Sequence, residues 1–300
     1  MKYIKFAVLM VLVFASVCLA TEKGRKKMSM KPSRFVTYKT VGDMELKLHI
    51  FDPSGEATKP RSAIVFFFGG GWKGGTPRQF YYQCKYLASR GMVAISAEYR
   101  TKTNGGVEPR ECVKDGKAAI RYVRKHAKEI GIDPNRIAAG GGSAGGHIAA
   151  ATGTVKGFEH DDEDMSVSSR PDAMVLFNPV YDNSQEGYGF DRVEKYWEAF
   201  SPRHNIDKKT PPTIVFLGSR DKHIKVSIAE AFRDEMQKLG IKSELFIYQG
   251  QEHGFFNFGR NRNKWFLETL NETHRFLAEL GYVSGEPAAE KYFKERKKRG

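Results

Sequence analysis

Apolar residues fall along this chain in two rhythms. Between Arg34 and Phe51 they largely alternate with polar ones, and "VGDM" (Val41–Met44) interrupts with turn chemistry, which predicts a hairpin of strands Arg34–Thr40 and Glu45–Phe51. From Ala63 onward they come in short, nearly continuous runs: Ala63–Phe68, Met92–Ala97, Arg136–Ala139, Ala173–Phe177, Thr213–Leu217 and Glu244–Tyr248. Runs of that length read as strands covered on both faces. Between them lie helical stretches. Pro77–Arg90 is stopped by Gly91. Pro109–Ile130 carries Val113, Ile120 and Val123 on one face, opens with a proline and ends before Gly131. Ala144–Thr152, Lys225–Leu239 and Asn263–Leu280 complete the set. Strands alternating with helices predict an α/β fold, a mostly parallel central sheet with helices on both faces and the hairpin adding antiparallel strands at one edge. Tyr181–Asn205 is polar and aromatic and breaks the alternation, so it reads as a short cap-like insertion over one end of the sheet.

The two ends follow other rules. Lys2 and Lys5 introduce an apolar run, Phe6–Val17, that closes in Cys18-Leu19-Ala20. This pattern predicts a signal peptide over residues 1–20, cleaved after Ala20, and hence export. The run is short for a membrane span, which needs about 20 residues, and Ala15-Ser16-Val17 fits a lipid-anchored Cys18 poorly. Residues 21–33 read as a basic linker and 34–285 as the catalytic domain containing the 181–205 insertion. Residues 286–300, ending in "EKYFKERKKRG", read as a frayed or weakly helical basic tail.

Composition changes little in this picture. Forty per cent apolar and 28% charged residues are ordinary for a globular chain. The net charge of +14 raises nucleic acid as a partner, but no nucleic-acid motif is present. A solvated basic surface, or acidic polysaccharide and cell-envelope anions, fits an exported protein better. No Cys/His spacing suggests a metal. Cys84 and Cys112 remain after export, either as one bridge or as two core thiols.

Chemistry concentrates in "RIAAGGGSAGGHIAAATG" (Arg136–Gly153). Gly141, Ser143 and Gly145 form G-x-S-x-G between a strand and a helix, the setting in which a serine stands on a sharp turn above a sheet. A nucleophilic serine needs a base, and the base an orienting acid, expected in the order Ser, Asp/Glu, His on loops after later strands. Asp221 follows the strand ending at Leu217, and His253 follows the last strand in "ELFIYQGQEHGFF". His223 sits too close to Asp221, and His147 is expected to pack beneath the serine. His49, His126, His160, His204 and His274 read as structural or solvated, and Asp182 and Asp207 are rival acids placed before the expected strand.

With these residues in view, the chain resembles the α/β-hydrolase superfamily. Within it the likeness is to the bacterial esterase/lipase branch that includes hormone-sensitive-lipase-like enzymes and feruloyl- or acetyl-esterase-like carbohydrate esterases. The matching stretches are "FGGGWKGG" (Phe68–Gly75), "GGGSAGGH" (Gly140–His147), "GSRDKHIKV" (Gly218–Val226) and "EHGFF" (Glu252–Phe256), within roughly Ala63–Leu280. The resemblance implies acyl transfer through Ser143, with His253 as acid and base, Asp221 as orienting acid, and no cofactor. The oxyanion donors would be the backbone N–H groups of Gly70, Gly71 and Ala144. Many members carry a histidine where this chain has Phe68, which would have to support the glycine loop by packing alone.

Substrate is less legible. Trp72 walls the acyl site or packs beside the glycine loop, and Asn178 lines the pocket or is structural. Tyr188 and Trp197 are candidates for stacking on a sugar, with pinning of the insertion as the alternative. The short polar insertion "NSQEGYGFDR" favours small acyl groups on a polar alcohol, such as acetylated oligo- or polysaccharide. A general short-chain carboxylesterase or lipase is the alternative, and a non-catalytic binding protein on the same scaffold is the reading from another class. Oligomeric state stays open.

Overall fold

The computed structural model describes residues 30–299, with side chains up to residue 295. The expected signal peptide with Cys18, and linker residues 21–29, lie outside the described residues. The eight strands are β1 (Arg34–Val41), β2 (Met44–Phe51), β3 (Arg61–Phe67), β4 (Val93–Ala97), β5 (Ile132–Gly142), β6 (Ala173–Phe177), β7 (Thr213–Gly218) and β8 (Ser243–Tyr248). They form one sheet in the order β1-β2-β4-β3-β5-β6-β7-β8. β1 and β2 pair antiparallel, β2 meets β4 antiparallel, and every pairing from β4 to β8 is parallel. Strand order reverses around β3, and such switch points open a crevice at the carboxyl ends of the strands.

Helices α1 (Tyr81–Ala88), α2 (Pro109–Lys125), α4 (Ala144–Thr154), α7 (Val226–Lys238) and α8 (Lys264–Glu279) connect or cover the strands. The expected helix Pro109–Ile130 is broken at His126, which leaves helical geometry, and a single turn, α3 (Ala127–Ile130), precedes the left-handed Gly131. β5 is longer than the apolar run Arg136–Ala139, because Gly140, Gly141 and Gly142 continue its pairing with Val175, Leu176 and Phe177 of β6. Under the carboxyl ends, Phe66 stacks on Phe80 and Phe177 on Phe256 at centroid distances of 4.7 and 4.6 Å. That buried aromatic layer is the floor on which the loops stand.

Short helical turns α5 (Phe190–Val193) and α6 (Trp197–Phe200) order the insertion. The basic tail, expected to be frayed or weakly helical, forms a helix, α9 (Ala289–Arg299). Glu290 in its first turn matches the positive end of the helix dipole. Cys84 and Cys112 are both free and buried, so the bridge is not formed, and burial pushes both thiols up. Among the described residues, no helix is long and apolar enough to cross a membrane.

Candidate active site

β5 ends at Gly142 and α4 begins at Ala144, which leaves Ser143 alone in the bend with φ 55° and ψ −121°. A side chain at positive φ is strained, and the surroundings must hold it there. Two close approaches do so. A Cβ on Gly145 would lie 2.1 Å from the Phe67 carbonyl oxygen, and one on Gly141 would lie 2.3 Å from that of Gly145. Only glycine lets β5, α4 and the end of β3 meet this closely. Ser143 N–H donates to Phe177 O, while Ser143 O accepts from His147 and Val180, so the bend is tied on three sides.

Three chain segments converge on the Ser143 hydroxyl. His253 Nε2 lies 2.9 Å from Ser143 Oγ, and His253 Nδ1 lies 2.7 Å from Asp221 Oδ2. The other oxygen of Asp221 accepts from the backbone N–H groups of His223 and Ile224 at 2.8 and 3.0 Å. Burial pushes the Asp221 carboxyl up, but the hydrogen bond and charge of His253, together with those two N–H groups, outweigh it. The carboxyl is held below its ordinary value. An ionised Asp221 accepts a hydrogen bond from Nδ1–H and so keeps the proton on Nδ1, which leaves Nε2 as the acceptor for the serine O–H. The rival acids are occupied elsewhere, Asp182 with Arg203 and Asp207 with Arg170.

The glycine loop lies against this bend, since a Cβ on Gly69 would come within 2.8 Å of Gly142 O and 3.3 Å of Ser143 Cβ. Gly70 takes φ 133°, a conformation that suits glycine, and its carbonyl accepts from Lys73 and Gly74. The N–H groups of Gly70, Gly71 and Ala144 find no acceptor among the described residues. The Phe68 side chain meets this loop by packing, and hydrogen bonds from other residues add to that support. Its ring stacks on Tyr99 at 4.1 Å, but Tyr99 Oη also donates to Phe68 O at 2.6 Å, and Gly69 N–H donates to Gln79 Oε1 at 2.6 Å. Hydrogen bonds do much of what packing was expected to do.

Gln79 continues the connection. Its Nε2 donates to Asn257 Oδ1 (2.9 Å), Asn257 Nδ2 donates to Gly254 O (2.8 Å), and Gly254 N–H donates to Asn178 Oδ1 (3.1 Å). Asn178 Nδ2 then faces His253 Nε2 at 3.3 Å. Asn178 is buried and holds φ 34°, another strained non-glycine position at the site. An unbroken chain of amides therefore joins the glycine loop to the histidine. Gln79 and Asn257 were missed in the sequence, where one is an amide near a helix start and the other an amide beyond the histidine. Gln79→Leu removes both bonds at similar size. It is expected to lower kcat roughly tenfold with KM within about twofold, because small misplacements of reacting groups cost rate; steady-state kinetics measures the split.

The remaining candidates sort by contact. Trp72 is buried against His147, Tyr188 and Phe200 at 5.1, 5.9 and 6.0 Å, as support for the loop. Tyr188 reaches toward Gly71 with its hydroxyl, and His223 links its ring to that of His253 by edge contacts of 5.6 and 4.9 Å. Trp197 packs on Phe190 and His204 within the insertion.

His147 lies one turn beyond Ser143, fully buried, with Nε2 3.1 Å from Phe200 O, and burial pulls its pKa down to about 3. Between that value and about 6.5 the unfolded chain binds a proton that the folded chain refuses. Stability is therefore expected to fall as pH drops through this window, by up to roughly 1.4 kcal/mol per pH unit from this group. Burial lowers His274 as well, in the same direction. Urea unfolding at pH 7, 6, 5 and 4 measures the slope, which should flatten in His147→Gln.

A family model described as BD-FAE matches residues 48–184, and one described as the dienelactone hydrolase family matches residues 178–280. Among solved structures, esterase 2 of the planctomycete Thermogutta terrifontis with propionate bound superposes with a TM-score of 0.82 at 43% identity, covering 86% of this chain and 98% of that one. The chain belongs to the α/β-hydrolase esterase/lipase family. Two further α/β-hydrolase relatives are more distant. A probable isoprenylcysteine alpha-carbonyl methylesterase of Arabidopsis thaliana is 27% identical over 69% of this chain and 48% of its own length. Esterase LipC of Mycobacterium tuberculosis is 29% identical over 66% of this chain and 54% of its own. The chain thus spans about half the length of these curated relatives.

Proposed function

We propose that this protein is an exported serine carboxylesterase that removes acetyl or other small acyl groups from carbohydrate. The observation that carries the reading is the relay Ser143–His253–Asp221, with distances of 2.9 and 2.7 Å, beside a glycine loop and helix start whose N–H groups at Gly70, Gly71 and Ala144 have no acceptor among the described residues. In the first half-reaction Ser143 Oγ attacks the ester carbonyl carbon while His253 Nε2 takes the hydroxyl proton. The carbonyl oxygen becomes an oxyanion facing the N–H groups of Gly70, Gly71 and Ala144, each donor worth roughly 2.7–4 kcal/mol in such sites. The ester C–O bond then breaks and Nε2–H protonates the departing alkoxide. Water, losing its proton to Nε2, attacks the acyl-serine. Collapse frees the carboxylic acid and returns the proton to Ser143. Asp221 holds the imidazole in the accepting tautomer and stabilises its protonated form.

The finer assignments rest on separate supports. Export rests on the basic, apolar and small-residue pattern of residues 1–20. A small acyl group is supported by the short polar insertion, and by the propionate- and butyrate-bound forms of the Thermogutta esterase. Likeness to other esterases, such as LipC, favours a general short-chain carboxylesterase as the second reading. Acetate release from acetylated xylan, compared with turnover of p-nitrophenyl esters of two to twelve carbons, separates them. Activity confined to acyl chains beyond about eight carbons would defeat both small-acyl readings.

A further inference from the structure

A cavity of about 230 Å³ opens beside the glycine loop, and three cationic residues from three chain segments line it: Lys73, Lys102 and Arg192. Their convergence is built into the backbone. Lys102 N–H donates to Trp72 O at 3.0 Å and Thr103 N–H to Lys73 O at 2.9 Å, which sets the two lysines on paired segments. Arg192 arrives from α5, lays its guanidinium over Trp72 and Tyr188 at 4.9 and 5.0 Å, and donates to Gly71 O at 2.7 Å. That last bond is made to Gly71, which lines the cavity and whose N–H is one of the expected oxyanion donors.

No carboxylate pairs with any of these three cations among the described residues. Glu108, the acidic residue at the cavity, is engaged by Arg110 at 3.1 Å. The uncapped start of α2, at Pro109, adds the positive end of a helix dipole on the same side. Like charges gathered without a counterion repel one another, and an arriving anion relieves that cost. Val107 and Pro109 give the cavity an apolar wall. Its size falls below the roughly 300–1,000 Å³ of drug-sized sites, which suits one ring rather than an oligosaccharide.

We propose that this cavity receives a carboxylate-bearing sugar ring, so that the preferred esters are acylated uronates rather than acylated neutral sugars. The inference rests on the esterase reading above and names the substrate class of that same site. The test is a matched pair, acetylated methyl glucuronoside against acetylated methyl glucoside, with a sulfated sugar acetate as a third arm and p-nitrophenyl acetate as the check on esterase activity. The expected kcat/KM ratio of uronate to neutral sugar is about tenfold at low salt, the range for a few partly exposed ion pairs, and it shrinks toward one near 1 M NaCl. Lys73→Glu/Lys102→Glu is expected to invert the ratio. A ratio of one in the wild type, or one indifferent to charge reversal, overturns the inference while leaving the esterase reading intact. Preference for the sulfated sugar alone overturns the carboxylate assignment. Failure to hydrolyse p-nitrophenyl acetate or either sugar ester overturns the esterase reading itself.

Discussion

Ser143→Ala is expected to lower kcat for p-nitrophenyl acetate by roughly 10⁴- to 10⁶-fold, the range for losing a triad nucleophile, while Tm stays within about 2 °C of the wild type. The two halves of that expectation come from the same geometry. The hydroxyl makes one side-chain hydrogen bond, to His253, so its removal strands no buried partner. Alanine inherits the same strained φ of 55°, and the backbone bonds that hold the bend involve only Ser143 N and O. What disappears is the atom that forms the acyl-enzyme. The oxyanion donors and the base remain, so a weak residual rate through direct attack by water is compatible with the mechanism. Wild-type turnover in this variant would remove Ser143 from it.

Asp221→Asn is expected to cost about 10⁴-fold in kcat, with KM little changed. Two backbone N–H groups, from His223 and Ile224, point at one oxygen of Asp221. In the variant those donors keep the amide oxygen on their side, because an NH₂ group there would face N–H against N–H. The amide NH₂ therefore turns toward His253 Nδ1. Nδ1 must then accept, the ring proton moves to Nε2, and Nε2 can no longer take the serine proton. The effect is a wrong tautomer in a correctly folded site. Steady-state kinetics with circular dichroism distinguishes it from unfolding, and a loss of less than tenfold would remove Asp221 from the orienting role.

These three side chains could be picked from the sequence because each sits where a short apolar run ends, and strand ends are legible as changes of rhythm. The parallel order and the antiparallel edge follow from the same runs. The bracing of the site was not legible. Tyr99 on Phe68 O and Gln79 on Asn257 are contacts between residues 31 and 178 places apart in the chain, made by residue types common on any surface. The β5 run was read at Arg136–Ala139, with the glycines closing the strand, and β5 also extends back to Ile132. Here Gly140–Gly142 stay in the ladder since their missing side chains admit Phe66 and Phe256. The tail was read as frayed or weakly helical, and it is a helix with Glu290 in its first turn, where the helix dipole favours an acid.

The amide chain from Gly69 through Gln79, Asn257 and Gly254 to Asn178 bears on how this site can drift over generations. Gln79 and Asn257 answer each other donor to acceptor, so a change at one leaves an amide group of the other without its partner. Single replacements at either position are therefore expected to be disfavoured relative to paired ones. In an alignment of relatives this should be visible as covariation between one residue at the mouth of α1 and another four places after the histidine. It would be a signature of the active site carried by residues that never touch the substrate.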